Sequence, residues 1–123
     1  MSDEKQCDSA VTVELLKQKV VTFLAEREWQ QFHDPRTDAM GLSIEAAELL
    51  ELFLYNHAPY EALAEKREAV EDELADVLTW VLCFASTAKI DLATVLTRKL
   101  AKNALKYPIE KAKGNHKKYT DLS

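Results

Sequence analysis

Two short acidic signatures could do chemistry in this chain: Glu45-x-x-Glu48 and Glu73-x-x-Asp76. Each lies in a run that otherwise reads as buried. Between Leu42 and Tyr55 the only polar residues are Ser43, Glu45, Glu48 and Glu51, and Asp76 is followed by Val-Leu-Thr-Trp-Val-Leu-Cys-Phe-Ala. A carboxylate entering apolar ground is costly unless a cation compensates it. No Lys or Arg lies between Arg36 and Lys66, so Glu45 and Glu48 have no cationic neighbour a helical turn away. Helical positions three apart project about 60° apart, so the two acids of each signature point together. Two such helices side by side bring Glu45, Glu48, Glu73 and Asp76 around one point. Carboxylates so crowded cannot all stay ionised without cations. Mg²⁺, with Mn²⁺ as a possible substitute, would resolve this, and it keeps coordination places for phosphate oxygens and water. Glu51 is open to three roles: ligand, water-orienting base or rim residue.

Other chemistries fit less well. Di-iron bundles use Glu-x-x-His pairs, and none of His33, His57 or His116 has a Glu three residues before it. Oxygen-only ligation favours Mg²⁺ or Mn²⁺ over iron or zinc. A phosphate-cradling Gly loop is impossible with only Gly41 and Gly114. Glu61, Glu65, Glu68, Glu71 and Asp72 read as a solvated helix face. Trp80 stands four residues after Asp76, and Tyr55 seven after Glu48, so each extends an acidic face. Such rings could stack on a nucleobase whose phosphates meet the metal, or could simply fill the core. Lys99, Asn103 and Lys106 share a face of a later helix, where they would meet phosphate or sugar oxygens, or only water.

The charge pattern supports an anionic ligand. The net charge is −5. Residues 45–76 hold ten acids against Lys66 and Arg67, a balance of −8, and residues 98–118 hold eight Lys or Arg against Glu110, a balance of +7. An acidic centre with a basic end suits a metal and an anion held together, and does not suit duplex nucleic acid.

These side chains need helices to carry them. Two Gly and three Pro in 123 residues leave few turns for a β protein, and Ala, Leu, Glu and Lys favour helix. The reading is all-α and one domain. Residues 1–10 are expected to be disordered, 11–108 to form the helical domain, and 109–123 a basic, flexible tail. The spacing predicts helices over about 11–32, 37–57, 60–88 and 91–107, with breaks near Pro35, Pro59 and Pro108. Asp91 is the expected N-cap of the last. Val77, Leu78, Trp80, Val81, Leu82, Phe84 and Ala85 cover most of the third helix's circumference. A helix apolar all round is buried all round, and a chain this small can hardly surround it alone. An obligate homo-oligomer is therefore expected. With no apolar run of membrane-span length and no signal-like start, a cytoplasmic protein is expected. Cys83 reads as a small core residue.

At this point the residues match a family. Glu45-x-x-Glu48, then Glu73-x-x-Asp76, then Lys99-x-x-x-Asn103 and Lys106-Tyr107-Pro108, resemble the all-α nucleoside triphosphate pyrophosphohydrolases of the MazG type. The segment from Glu26 to Arg36, with Trp29, Phe32, His33 and Pro35, is similar to the small dCTP pyrophosphatase branch. The resemblance implies antiparallel helices assembled into a four-helix bundle as a dimer or dimer of dimers. It implies cleavage between the α- and β-phosphates, giving a nucleoside monophosphate and pyrophosphate, with a role in cleansing nucleotide pools. It implies that Glu45, Glu48, Glu73 and Asp76 bind Mg²⁺, that Trp29, Phe32, His33, Tyr55 and Trp80 form the base and sugar pocket, and that Lys99, Asn103 and Lys106 hold phosphate or sugar. Lys106 departs from the Arg that relatives often carry. The rival readings are a non-catalytic helical interaction module, and a sibling enzyme acting on phosphoribosyl-ATP or dUTP.

Overall fold

A computed structural model describes residues 6–55 and 57–123. The described residues form helices and turns, with no strand among them. The helices are α1 (Val13–Glu26), α2 (Pro35–Glu51), α3 (Pro59–Glu65), α4 (Arg67–Ala88), α5 (Leu92–Lys106) and α6 (Ile109–Ala112). They fall into two compact units, one ending at Ile90 and one running Asp91–Ser123. No single described helix is long and apolar enough to cross a membrane.

Local chemistry explains most helix ends. Thr12 accepts the Leu15 amide at 3.1 Å and starts α1. At its other end, Arg27 Nη1 donates to the Phe23 carbonyl at 3.0 Å, and Glu28 turns the chain with a left-handed φ of 56°. The expected first helix therefore stops at Glu26, and Gln30–Phe32 forms a short 3₁₀ turn instead. Asp34 caps α2 by accepting the Thr37 amide at 2.7 Å, with Pro35 in the first turn where its missing N–H costs nothing. That bond holds the Asp34 carboxyl below its ordinary range. Helix α2 ends at Glu51, short of the expected 57, and turns follow to Tyr55, itself at a left-handed φ of 66°.

The expected long third helix is two. Lys66 separates α3 from α4 although Leu63 to Glu71 are mostly good helix formers. The break lets α3 bury Ala62 completely, and Lys66 Nζ reaches the Leu52 carbonyl at 3.2 Å. Helix α4 ends as Lys89 turns left-handed and the Ile90 amide returns to the Ala85 carbonyl at 2.8 Å. Lys17 Nζ donates to the Ile90 carbonyl at 2.9 Å, tying α1 to that end.

Helix α2 packs chiefly on α4, and α1 also lies on α4. Among the described residues the buried apolar set is small: Ala62, Leu82, Cys83 and Ala85. Large apolar side chains stay open on the same helices, among them Met40, Ile44 and Leu50 on α2 and Leu74 and Leu78 on α4. The apolar circumference of α4 is thus only partly covered by its own chain.

The N-terminal segment expected to be disordered lies partly outside the described residues. Residues 6–10 form a turn, with the Ala10 amide on the Cys7 carbonyl at 2.9 Å. In the second unit Asp91 caps α5 by accepting the Thr94 amide at 3.1 Å. Tyr107 and Tyr119 meet edge to face at 6.0 Å.

Candidate active site

The α2–α4 contact is an antiparallel seam. Along α2 it runs Asp38, Gly41, Glu45; along α4 it runs Glu73, Asp76, Trp80, Cys83, Thr87. These steps of three and four residues keep one helical face toward its neighbour. Three pairings fix the direction: Thr87 donates to Asp38 Oδ2 at 2.9 Å, Trp80 lies on Gly41, and Glu45 meets Glu73 and Asp76.

At the acidic end, one carboxylate oxygen from each of Glu45, Glu73 and Asp76 lies within 4.8 Å of the others. Around an octahedral Mg²⁺ at about 2.1 Å, opposite oxygens stand about 4.2 Å apart and neighbouring ones about 3.0 Å, so the three would close somewhat on an ion. Glu45 and Glu73 are half-buried, and Asp76 is exposed. Oε2 of Glu45 and Oε2 of Glu73 are buried without a hydrogen-bond partner. A buried carboxylate oxygen with no donor is what a cation would satisfy. The all-oxygen donor set fits a hard divalent ion. Burial first, then hydrogen bonding with Glu48 and Glu73 and the charges of Glu48 and Asp76, pushes Glu45 up to about 7. Burial also raises Glu73, with the Glu48 and Asp76 charges adding to it. Glu48, the fourth acid of the signatures, stays outside the close triple. It is exposed, and it acts on Glu45 and Glu73 by hydrogen bonding as well as by its charge.

The middle of the seam is aromatic. A Cβ placed on Gly41 would sit 2.4 Å from the Trp80 ring. Trp80 also stacks on His33, with centroids 5.3 Å apart and planes 28° apart. At the far end Asp38 is completely buried, and both of its oxygens have partners. His33 Nδ1 lies 2.6 Å from Oδ1, and the Thr87 hydroxyl 2.9 Å from Oδ2. Asp38 also sits in the first turn of α2, where the helix dipole favours an anion. His33, Cys83 and Thr87 border a cavity of about 310 Å³, with Val21, Leu24, Gln30 and Ser86 on its other sides. Burial, helped by the Asp38 charge, pushes the Cys83 thiol up to about 11, so it is no nucleophile.

The remaining expected site residues are placed as follows. Trp29 is exposed and meets Phe23 edge to face at 5.9 Å. Phe32 and Tyr55 are exposed, Tyr55 almost wholly. Lys99, Asn103 and Lys106 ride on α5 in the second unit, Asn103 half-buried and Lys106 Nζ 4.8 Å over the Tyr119 ring. Sequence reasoning passed over Asp38, Gly41 and Thr87. The signal was present in the spacing: stepping back four and seven residues from Glu45 reaches Gly41 and Asp38, and stepping on from Asp76 reaches Trp80, Cys83 and Thr87.

Comparison with known proteins places the chain in a family. The family model described as the MazG-like family matches residues 40–122. The chain is 35% identical to rat dCTP pyrophosphatase 1 and 34% identical to the human protein of that name, each over 115 residues, 90% of this chain and 68% of the relative. A crystal structure of a pyrophosphatase from Archaeoglobus fulgidus superposes with a TM-score of 0.74 at 37% identity, covering 77% of this chain and 91% of that one. On these likenesses, with an all-helical fold, the chain belongs to the MazG-like family.

Proposed function

We propose that this chain is a nucleoside triphosphate pyrophosphohydrolase that takes dCTP or related, including non-standard, deoxynucleotides. It cleaves between the α- and β-phosphates, releases pyrophosphate, and so clears surplus or abnormal nucleotides from the cytoplasmic pool. The observation that carries this reading is the pair of orphaned, buried oxygens on Glu45 and Glu73 beside Asp76. The names of the relatives, dCTP pyrophosphatase, supply the nucleotide class.

Glu45, Glu73 and Asp76 would hold Mg²⁺, with Glu48 completing the set. When bound, the ion neutralises phosphate charge and lowers the pKa of a water. The chain's own groups do the rest. A carboxylate at the edge of the cluster, Glu48 or Glu51, would take the proton of the attacking water. Trp80 lies seven residues beyond Glu73, about 10 Å along α4, and its stack with His33 offers a surface toward the base. Lys99, Asn103 and Lys106 would contact phosphate or sugar.

The assembly belongs to the same proposal. Met40 and Ile44 on α2, and Leu74 and Leu78 on α4, form open apolar stripes at i, i+4 spacing. Arg36, Ala39, Met40, Ser43 and Ile44 line a shallow apolar depression beside them. A second copy covers these stripes and completes an antiparallel bundle, as a dimer or a dimer of dimers.

The test is a panel of canonical and modified dNTPs with Mg²⁺, read by pyrophosphate release. The expected result is metal-dependent release of pyrophosphate, greatest for cytosine nucleotides, and its loss in Glu48→Gln with the oligomer intact. Absence of pyrophosphate from every nucleotide would overturn the reading.

A further inference from the structure

We infer that Asp38 is a positioning residue that fixes the tautomer of His33, and that His33 thereby selects a base carrying an exocyclic amino group over one carrying a carbonyl. The inference rests on the pyrophosphohydrolase reading and names its specificity device.

Asp38 is completely buried, yet both of its oxygens are engaged. A buried carboxylate accepts only, so the proton between it and His33 belongs to Nδ1. The Thr87 hydroxyl donates to the other oxygen and leaves it no freedom to turn. Stacking on Trp80 fixes the plane of the imidazole. With Nδ1–H committed to Asp38, the nitrogen left for a ligand is Nε2, which in the neutral ring is an acceptor. His33 borders the cavity of about 310 Å³, near the lower end of the size that holds small ligands. Gln30 and Ser86 supply further polar groups there, and Val21 and Leu24 supply apolar walls. Presented to a bound base, an Nε2 acceptor pairs with the amino group of cytosine. It faces the carbonyl of uracil lone pair to lone pair, and a site that leaves buried polar groups unpaired discriminates strongly.

The test combines spectroscopy with kinetics. The chain has three histidines, so a ¹⁵N-histidine sample gives a resolvable long-range ¹H–¹⁵N spectrum, with His33 assigned by a His33→Gln variant. The wild type should show His33 protonated at Nδ1, and dCMP should shift its Nε2 while dUMP should not. In Asp38→Asn the carbonyl stays on the Thr87 hydroxyl and the amide donates to Nδ1, so the proton moves to Nε2. The dCTP:dUTP ratio of kcat/KM should then fall by about tenfold or more. The change should come mainly from KM for dCTP, with kcat nearly kept. Wild-type His33 protonated at Nε2, or a dCMP titration that leaves Nε2 unmoved, overturns the inference even where Asp38→Asn does not fold. So does a folded Asp38→Asn that keeps the wild-type ratio. A wild type that hydrolyses both nucleotides equally overturns the selectivity alone. A wild type that releases pyrophosphate from neither overturns the function on which it rests.

Discussion

The Trp80 indole lies directly on the backbone of Gly41, with no room between them for a single methyl group. This contact sets how closely α2 approaches α4. The carboxylates of Glu45, Glu73 and Asp76 converge because that approach is close. A helix-interior glycine, ordinarily a weakness, here serves the packing.

Gly41→Ala should therefore destabilise the protein. Alanine gains roughly 1 kcal/mol of helix propensity. Overpacking against a rigid ring costs roughly 1–3 kcal/mol, and a Cβ 2.4 Å from the fused-ring atoms falls at the severe end. A net loss of about 1–2 kcal/mol is expected, read by urea unfolding. An unchanged midpoint would show that Trp80 moves aside freely.

Stability without metal should fall as the pH rises. Glu45 is held up to about 7, from an ordinary value of 4.5, and Glu73 is raised as well. The folded protein therefore holds protons that the unfolded chain has already released between those values. Stability is greatest below about 4.5 on this account and is lost as the pH climbs through about 7. Divalent metal needs the ionised carboxylates, so its stabilisation grows across the same window. Melting curves with chelator and with Mg²⁺, from about pH 5 to about pH 8, should diverge as the pH rises. Parallel curves would count against metal at this cluster.

Glu73→Gln should separate the two halves of that behaviour. It removes one of the crowded charges, so the metal-free variant should melt higher than wild type at about pH 8. It also removes one of the orphaned oxygens' charges, so the melting shift on adding Mg²⁺ should shrink to near zero. A full wild-type shift would place the ion elsewhere.

Ile44→Lys should report on assembly. Ile44 is more than half exposed on α2, beside Met40. A charge there costs the single chain little and an interface centre much. Light scattering after gel filtration should find a smaller species than wild type. A wild-type mass would move the interface off this stripe.

Much of the site was legible before folding. The i, i+3 spacing of the two acidic pairs follows from helix geometry, and the absence of nearby cations follows from reading the chain. The start of α5 at Asp91 follows from local capping chemistry, and Thr12 and Asp34 obey the same chemistry although the spacing put the second helix's start near 37. Other features were not legible. Nothing between Leu63 and Glu71 marks the break at Lys66, because the gain comes from burying Ala62. Asp38 looks in sequence like any acid of a first helical turn.

The sequence by itself determined that the chain is helical and which carboxylates share a helix face, since both depend on neighbours a few bonds away. Only the tertiary structure decided that Glu45, Glu73 and Asp76 close up while Glu48 stays outside, and that Asp38 grips His33. Those distances depend on how two helices nest, and the nesting is set by a glycine under an indole on another helix.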